Sequence, residues 1–301
     1  IIVLNHIDKC ILKKMKSNLS IHSRKDDHLI INSQKDVNSS NTTGLEKFRL
    51  IHSALPEINL SDVDPSVEIF GKKLSYPLLI SSMTGGTEKG GEINRILAKA
   101  AQKYGLAMGV GSQRIGVGKP EGMNTFEIRK FAPDITLFSN LGAIQLNNGF
   151  STDECKKTID SINADALILH LNPLQEALMK NGNTNYSGLL KKIEMVCEKI
   201  RVPVIVKEVG WGISAQVAKS LLDAGVQAID VAGAGGTSWS EVEKHRLKNP
   251  SEKRIANAFR DWGIPTADAI VEIRKVLPDV ILFGSGGIRN GLDVIKTIAL
   301  G

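Results

Sequence analysis

Aromatic residues are scarce in this chain, with Phe, Trp and Tyr making up 5% of its 301 residues. No long Lys/Arg block with interleaved aromatics occurs either. That argues against a nucleic-acid partner, although the formal charge is +6. Cysteine is scarcer still. Cys10, Cys155 and Cys197 are too widely spaced for a zinc pattern or a disulfide framework. No apolar run approaches the roughly 20 residues that span a bilayer. The opening IIVLNHIDKCILKKMKS is interrupted by Asp8 and Lys9 and lacks a small-residue cleavage site, so it does not read as a signal peptide. Together these absences point to a cytoplasmic protein with no membrane association. The modest basic excess then suits a phosphorylated small molecule. The chain opens on Ile rather than Met, as a fragment would.

What is present is ordinary globular composition, 42% hydrophobic and 23% charged. Residues 1–77 read as an N-terminal extension, with a polar loop at Asn32–Gly44, NSQKDVNSSNTTG. From residue 78 a pattern repeats: a short apolar run ends in Gly or polar residues and an amphipathic helix follows. The runs are Leu78–Ser81, Ala107–Val110, Ile135–Ser139, Ala166–His170, Val204–Lys207, Ala228–Val231 and Ile281–Gly284. Near-continuous apolar strands predict a parallel sheet covered on both faces. Helical spacing places Ile93, Leu97, Ala100 and Ala101 together over Glu92–Tyr104, stopping at Gly105. It places Val217, Leu221 and Leu222 inward over Ser214–Ala224. It places Ile270, Ile273, Val276 and Leu277 inward after Pro265, and Leu292, Ile295 and Ile298 inward over Asn290–Ala299. Seven strand–helix units fit, and an eighth strand would begin near Ala299, where the chain stops. The expectation is an α/β TIM (β/α)8 barrel over 78–301, its eighth unit truncated. A doubly wound sheet would show a dinucleotide-type glycine turn after the first strand, and Ser82-Met83-Thr84-Gly85-Gly86 does not match one.

In a barrel the strand ends belong together, and here they are polar and Gly-rich. They are SSMTGG (81–86), GVGSQR (109–114), SNLGA (139–143), HLNPLQE (170–176), VKEVGWG (206–212), AGAGGTSW (232–239) and GSGGIR (284–289). Gly286-Gly287 with Arg289 suits a phosphate, because backbone N–H groups approach closely where no Cβ intervenes. Gly235-Gly236-Thr237-Ser238 offers a second cradle. Either could equally be a tight turn. Lys207 closes a buried strand, which is costly without a partner; an ion pair with Glu208 competes with a ligand anion. Arg24-Lys25-Asp26-Asp27-His28 alone reads as a solvated cluster, unless a diphosphate rewards its paired cations. His170 alone could be a satisfied core histidine. In alternation, Ile168, His170 and Asn172 share one face, and Leu167, Leu169 and Leu171 the other.

These segments, taken in order with TTGLEKFRLIHSALPE (42–57), VPVIVKEVGWGIS (202–214), DVAGAGGTSW (230–239) and DWGIPT (261–266), resemble type 2 isopentenyl-diphosphate isomerases, the FMN-dependent kind. The resemblance runs from about Ser23 to the last residue. It implies a TIM barrel with bound FMN, a magnesium ion and NADPH as reductant. It implies interconversion of isopentenyl and dimethylallyl diphosphate in isoprenoid biosynthesis, and a homotetramer or larger. Carried over by motif, Arg24 and Lys25 hold the diphosphate, assisted by Ser112, Gln113 and Arg114, with His170 and Asn172 on the same side. Ser82, Met83, Thr84, Ser112, Asn140, Lys207 and Thr237 line the flavin. Gly286, Gly287, Arg289, Ala299 and Leu300 take its phosphate. Glu176 ligates magnesium, and Gln175 faces the double bond as the catalytic residue. Ser139 replaces the Ala frequent before NLGA, and the residues before Ser23 match nothing in the family.

Protonating an alkene carbon creates a cation-like state, so the site must be dry and free of nucleophiles, and no Cys falls at a strand end. Glu176 is a hard oxygen ligand suited to magnesium shared with phosphates. Gln175 is a weak acid and base, better at orienting than at titrating. A 2-hydroxy-acid oxidase would carry a His-Gly-Gly-Arg turn where Ala234-Gly235-Gly236-Thr237 stands. An IMP-dehydrogenase-like barrel would need a loop Cys. A non-catalytic phosphate-binding barrel would not need RKDDH, Gln175, Glu176 and Lys207 intact.

Overall fold

The computed structural model describes residues 24–118 and 120–301. Cys10, and the expectation that residues 1–22 match nothing, fall outside them. The first element is α1, Arg24–Gln34, so the charge cluster is helical and the polar loop begins only at Lys35. A small antiparallel hairpin follows, β1 (Val67–Ile69) and β2 (Lys72–Leu74). The turn between them holds Phe70 and Gly71, both at positive φ.

The barrel sheet comes next. Its strands are β3 (Leu79–Ile80), β4 (Ala107–Gly109), β5 (Leu137–Gly142), β6 (Ala166–His170), β7 (Val204–Lys207), β8 (Ala228–Asp230) and β9 (Ile281–Phe283). All seven pair in parallel and in chain order. This is the curled sheet of an α/β barrel. β3 and β9 are its two edges and are not joined to each other. Between them an apolar groove of about 290 Å³ is lined by Leu79, Phe283, Val294 and Ile298.

The seven expected strands are all present, two with the expected bounds. The reason is chemical: β5 to β8 are buried at nearly every position, so they require apolar side chains on both faces. Leu137, Leu141, Leu167, Leu169, Val204, Val206 and Ile229 face the helices. Ala107, Phe138, Ala166, Ile168, Ile205, Ala228 and Phe283 fill the barrel.

The helices are α2 (Glu88–Tyr104), α3 (Arg114–Gly118), α4 (Thr152–Ile162), α5 (Pro173–Leu178), α6 (Leu189–Lys199), α7 (Ala215–Asp223), α8 (Trp239–Arg246), α9 (Pro250–Ala258), α10 (Thr266–Val276) and α11 (Gly291–Leu300). α2 starts four residues before the expected Glu92, because the Thr87 hydroxyl accepts from Gly90 N and caps it there. It ends at Gly105, at φ 62, as expected. Asn94, Ala98 and Ala101 form its buried centre, so the expected face is rotated, with Ile93 and Leu97 at the flank.

Three further expectations fail. Val217 is exposed, and Ala218 and Leu221 meet the barrel instead. Leu292, Ile295 and Ile298 were expected inward but are 55%, 53% and 52% exposed. Gly284, just past β9, is compatible with this rotation of α11. A Cβ there would lie 2.2 Å from Thr297 Cγ2, so Thr297 lies directly on the strand. Val276 is likewise exposed, whereas Ile270 and Ile273 are buried.

Candidate active site

Alternation along parallel strands delivers one layer of side chains to the barrel mouth. The Cα partners His170, Lys207 and Asp230 lie side by side across β6, β7 and β8. Asn140 joins them from β5, where His170 Nδ1 meets its Oδ1 at 2.9 Å. An amide oxygen only accepts, so Nδ1 carries the ring proton and Nε2 is left as an acceptor. Burial pushes His170 down to about 3, and the charges of Lys207, Arg24, Lys25 and Arg114 push the same way. The ring is therefore neutral in the native state. The unfolded chain binds that proton below about 6.5 and the folded chain does not. Stability is thus expected to fall as pH drops from about 6.5 toward 3, and His170→Gln is expected to flatten that slope in denaturant melts. A wild-type slope unchanged by the substitution would refute this reading.

Lys207 is 6% exposed. Its ammonium donates to the Glu208 backbone oxygen at 2.6 Å rather than forming the weighed ion pair with the carboxylate. The carboxylate turns into its own loop, where Glu208 Oε2 accepts from the N–H groups of Val209, Gly210 and Trp211 at 2.6–2.7 Å. Burial nevertheless pushes Glu208 up to about 7 against those three donors.

A cluster of cations roofs the mouth. α1 packs on α8, with the His28 ring edge-on to Trp239 at 5.1 Å. This brings Lys25 Nζ to Ser112 O at 2.7 Å and to 4.8 Å from the centre of the Phe126 ring. Burial, then Arg24 and Arg114, pushes Lys25 down to about 7. Arg24, whose side chain still reaches solvent, is held below its usual range first by partial burial and then by Arg114. Three cations gathered at one mouth, two of them held below their usual range, describe a site built for a multiply charged anion.

Beside this cluster α5 starts at Pro173, and Gln175 and Glu176 in its first turn are buried. Asn172 Nδ2 donates to Gln175 Oε1 at 3.0 Å and to Glu176 Oε1 at 3.2 Å. Gln175 Nε2 donates to Glu243 Oε1 at 2.9 Å. Glu243 also meets His28 Nε2 at 3.1 Å and Arg246 Nη1 at 2.7 Å. Glu176 Oε2 accepts from Asn183 N at 2.6 Å. Tyr186 caps the set, donating to Asn172 Oδ1 at 3.3 Å.

On the opposite side of the mouth the two glycine turns interlock. A Cβ on Gly236 would fall 2.6 Å from Gly287 N, and one on Gly286 would fall 2.1 Å from Gly233 O. Among the described residues, the N–H groups of Gly236, Gly286 and Gly287 donate to no protein acceptor. Arg289 reaches the same place through Asn38 Oδ1, at 2.9 Å. The polar loop is not free but packs on this turn, with Ser39 N on Gly236 O at 2.8 Å and Ser238 N on Val37 O at 2.7 Å.

A sequence model of the FMN-dependent dehydrogenase family matches residues 32–115 and 145–301. An isopentenyl-diphosphate delta-isomerase from Nostoc sp. is 56% identical over 280 residues, which cover 93% of this chain and 80% of that protein. Another, from Rickettsia prowazekii, is 50% identical over 286 residues, 95% of this chain and 83% of that one. The chain belongs to the isopentenyl-diphosphate delta-isomerase family. Two solved structures resemble it more distantly. A mandelate oxidase has TM-score 0.59 at 18% identity, covering 91% of this chain and 79% of that one. A lactate oxidase from Pediococcus acidilactici has TM-score 0.59 at 16% identity, covering 95% and 80%. At that distance the two oxidases speak for the barrel alone.

Within this isomerase-family chain the expected site residues divide into three groups. Arg24, Lys25, Arg114, Ser112, His170, Asn172, Gln175 and Glu176 converge at the mouth. Ser82 and Thr84 converge there from the end of β3. A Cβ on Gly109 would touch Ser82 Oγ at 2.2 Å, and that buried oxygen has no hydrogen-bond partner. Met83 beside them is 38% exposed. Thr237 meets the polar loop through its bridge to Asn38.

Three expected residues are not brought to the site. Gln113 is fully buried: its Oε1 accepts from Asn140 N at 3.0 Å and its Nε2 donates to Thr158 O at 3.0 Å, so its amide positions β5 and has nothing left for a ligand. Ala299 and Leu300 close α11, which starts just past Arg289. Ten helical residues run about 15 Å, so their last turn lies away from the phosphate turns. Cys155 and Cys197 lie on α4 and α6, where burial pushes their thiols up to about 12 and about 11. Neither serves as a loop nucleophile.

Sequence reasoning missed Glu243, Asn183 and Asp230, and weighed Glu208 only as a partner for Lys207. Glu243 stands in EVEKHR, which reads as a solvated charged helix. The one available signal was its i,i+3 spacing to Arg246 directly after the glycine turn.

Proposed function

We propose that this chain interconverts isopentenyl and dimethylallyl diphosphate, with reduced FMN and Mg2+, within isoprenoid biosynthesis. NADPH is the reductant in this reading. The observation that carries it is Lys25, largely buried beside the guanidinium groups of Arg24 and Arg114 at the mouth of an FMN-family barrel. Residues up to 77 supply the diphosphate-binding segment and residues 78–301 the flavin barrel.

The residues fit both groups. The unpartnered N–H groups of Gly236, Gly286 and Gly287, with Arg289, suit the FMN phosphate. The unpartnered Ser82 hydroxyl, with Thr84, Ser112, Asn140, Lys207 and Thr237, would line its ring. When bound, reduced FMN supplies an electron-rich ring beside the alkene. Among the described residues no group of three or more His, Cys, Asp or Glu forms a metal cage. Glu176 therefore suits a magnesium ion completed by diphosphate oxygens, which is how this ion commonly binds.

The reaction adds a proton to the terminal CH2 carbon and removes one from the carbon nearer the diphosphate. Arg24, Lys25 and Arg114 fix the diphosphate. Asn172 and Glu243 clamp both ends of the Gln175 amide, which orients the alkene rather than titrating. Neutral His170 adds no charge that would repel a developing cation. Phe138, Ile168 and Ile205, buried in the barrel interior, leave little room for water to reach it from that side.

The test is an anaerobic assay of the purified protein reconstituted with FMN. Turnover is expected only after reduction by NADPH or dithionite, and only with Mg2+ present. Failure to retain FMN, or equal turnover with oxidised flavin, would overturn the reading.

A further inference from the structure

Asp230 ends β8 on the inner face and is 1% exposed. Its two carboxylate oxygens differ. Oδ1 accepts from the Ser285 hydroxyl and from Ala232 N, the latter at 3.2 Å. This anchors the loop after β8, where Ala232 sits at φ 39, a left-handed value unusual for a residue with a Cβ. Oδ2 is buried and has no hydrogen-bond partner. A buried carboxylate oxygen left bare is costly and calls for a donor. Lys207, its lateral neighbour, does not supply one: its ammonium donates to Glu208 O and makes no hydrogen bond to this oxygen.

Position says what the donor is. On one side of Asp230 lies Lys207, assigned above to the flavin ring. On the other lies Ser285, followed directly by Gly286-Gly287, assigned to the phosphate. FMN joins its ring to its phosphate through a five-carbon chain bearing three secondary hydroxyls. That chain must cross the mouth between these two places, and each hydroxyl is a neutral donor. A phosphate would repel the carboxylate, and the described residues offer no carboxylate or imidazole cluster for a metal there.

We propose that Asp230 binds the polyol chain of FMN, its free Oδ2 accepting a hydroxyl proton between the ring and phosphate subsites. This rests on the FMN reading of the mouth. It separates the two oxygens by task, Oδ1 holding the loop and Oδ2 holding the ligand.

The test compares two flavins on the deflavinated full chain by fluorescence quenching. One is FMN and the other carries an N10-pentyl phosphate, the same chain without hydroxyls. Wild type is expected to bind FMN at least tenfold more tightly than the deoxy analogue. In Asp230→Asn, which keeps an acceptor for the loop, that ratio is expected to collapse toward one. A ratio that persists in the variant while both affinities fall would mean a structural role only and overturn the proposal. A wild-type ratio near one would overturn it without any variant, so a poorly folding Asp230→Asn does not shield it. If neither flavin binds wild type, the FMN reading itself fails.

Discussion

Replacing both Arg24 and Lys25 with alanine is expected to lower kcat/KM for isopentenyl diphosphate by about 10³-fold. Each charge-assisted contact to a phosphate contributes about 1.5–3 kcal/mol, so two contribute roughly 3–6, and about 1.4 kcal/mol is tenfold. The structure adds a signature that a mere loss of binding does not carry. Lys25 stands near 7 because burial and two neighbouring guanidinium groups disfavour its charge. The unfolded lysine keeps its proton up to about 10.5, so native stability rises with pH between about 7 and 10.5. At pH 8 the free enzyme holds Lys25 mostly neutral. A diphosphate brings negative charge to it and raises its pKa, so binding takes up nearly one proton. Calorimetric titration with inorganic pyrophosphate in two buffers of different ionisation enthalpy measures that uptake. It is expected in wild type and absent in Lys25→Met. Binding without proton uptake, or a loss below tenfold in the double variant, would remove this lysine from the anion site.

Glu243→Ala is expected to lower stability by about 3–5 kcal/mol, because it strands three partners of a buried charge. His28, Gln175 and Arg246 all converge on a carboxylate whose side chain is 1% exposed. For a chain of this size that is roughly 6–10 °C in Tm. Burial alone would raise Glu243, but the hydrogen bonds from His28, Gln175 and Arg246 hold it below its ordinary 4.5. A depressed carboxylate stabilises fully above the unfolded value and loses that contribution as pH falls below it. The gap between wild type and Glu243→Gln is therefore expected to be widest near neutrality and to narrow below about pH 4.5. Glu243 also anchors the Gln175 amide, so Glu243→Gln is expected to lower kcat more than it changes KM. An alanine variant melting within 2 °C of wild type would show the network to be ornamental.

Much of this barrel was legible in the primary sequence, and the reason differs by element. VPVIVK and ALILH announce buried parallel strands because helices cover one face and the barrel interior the other, leaving no solvent side to mark with polar residues. Helix rotation was less legible. In α11 the apolar residues Leu292, Ile295 and Ile298 share a helical stripe and are exposed, yet Val294 packs on the cluster of Leu45, Ala267 and Ile288, and Thr297 meets Gly284. Gly284, just past β9, makes room for Thr297 there, and periodicity within one helix carries no information about its neighbour.

The same division holds at the site. By itself the sequence determined that polar and Gly-rich groups cluster at strand ends, because alternation and the parallel order leave them nowhere else. It named Arg24, Lys25, Arg114, His170, Lys207 and Glu176 by kind and place in the chain. Only the tertiary structure decided which of these groups face one another and which are already spent. Gln113 looked like a ligand and is a strut between β5 and α4. For Lys207 an ion pair with Glu208 competed with a ligand anion, and its ammonium instead donates to the Glu208 backbone oxygen. Glu243 carried no signal of its own and is the hub joining α1, α5 and α8. Hydrogen bonds between residues far apart in sequence settle such roles, and these form only when the sheet curls and brings its strand ends together.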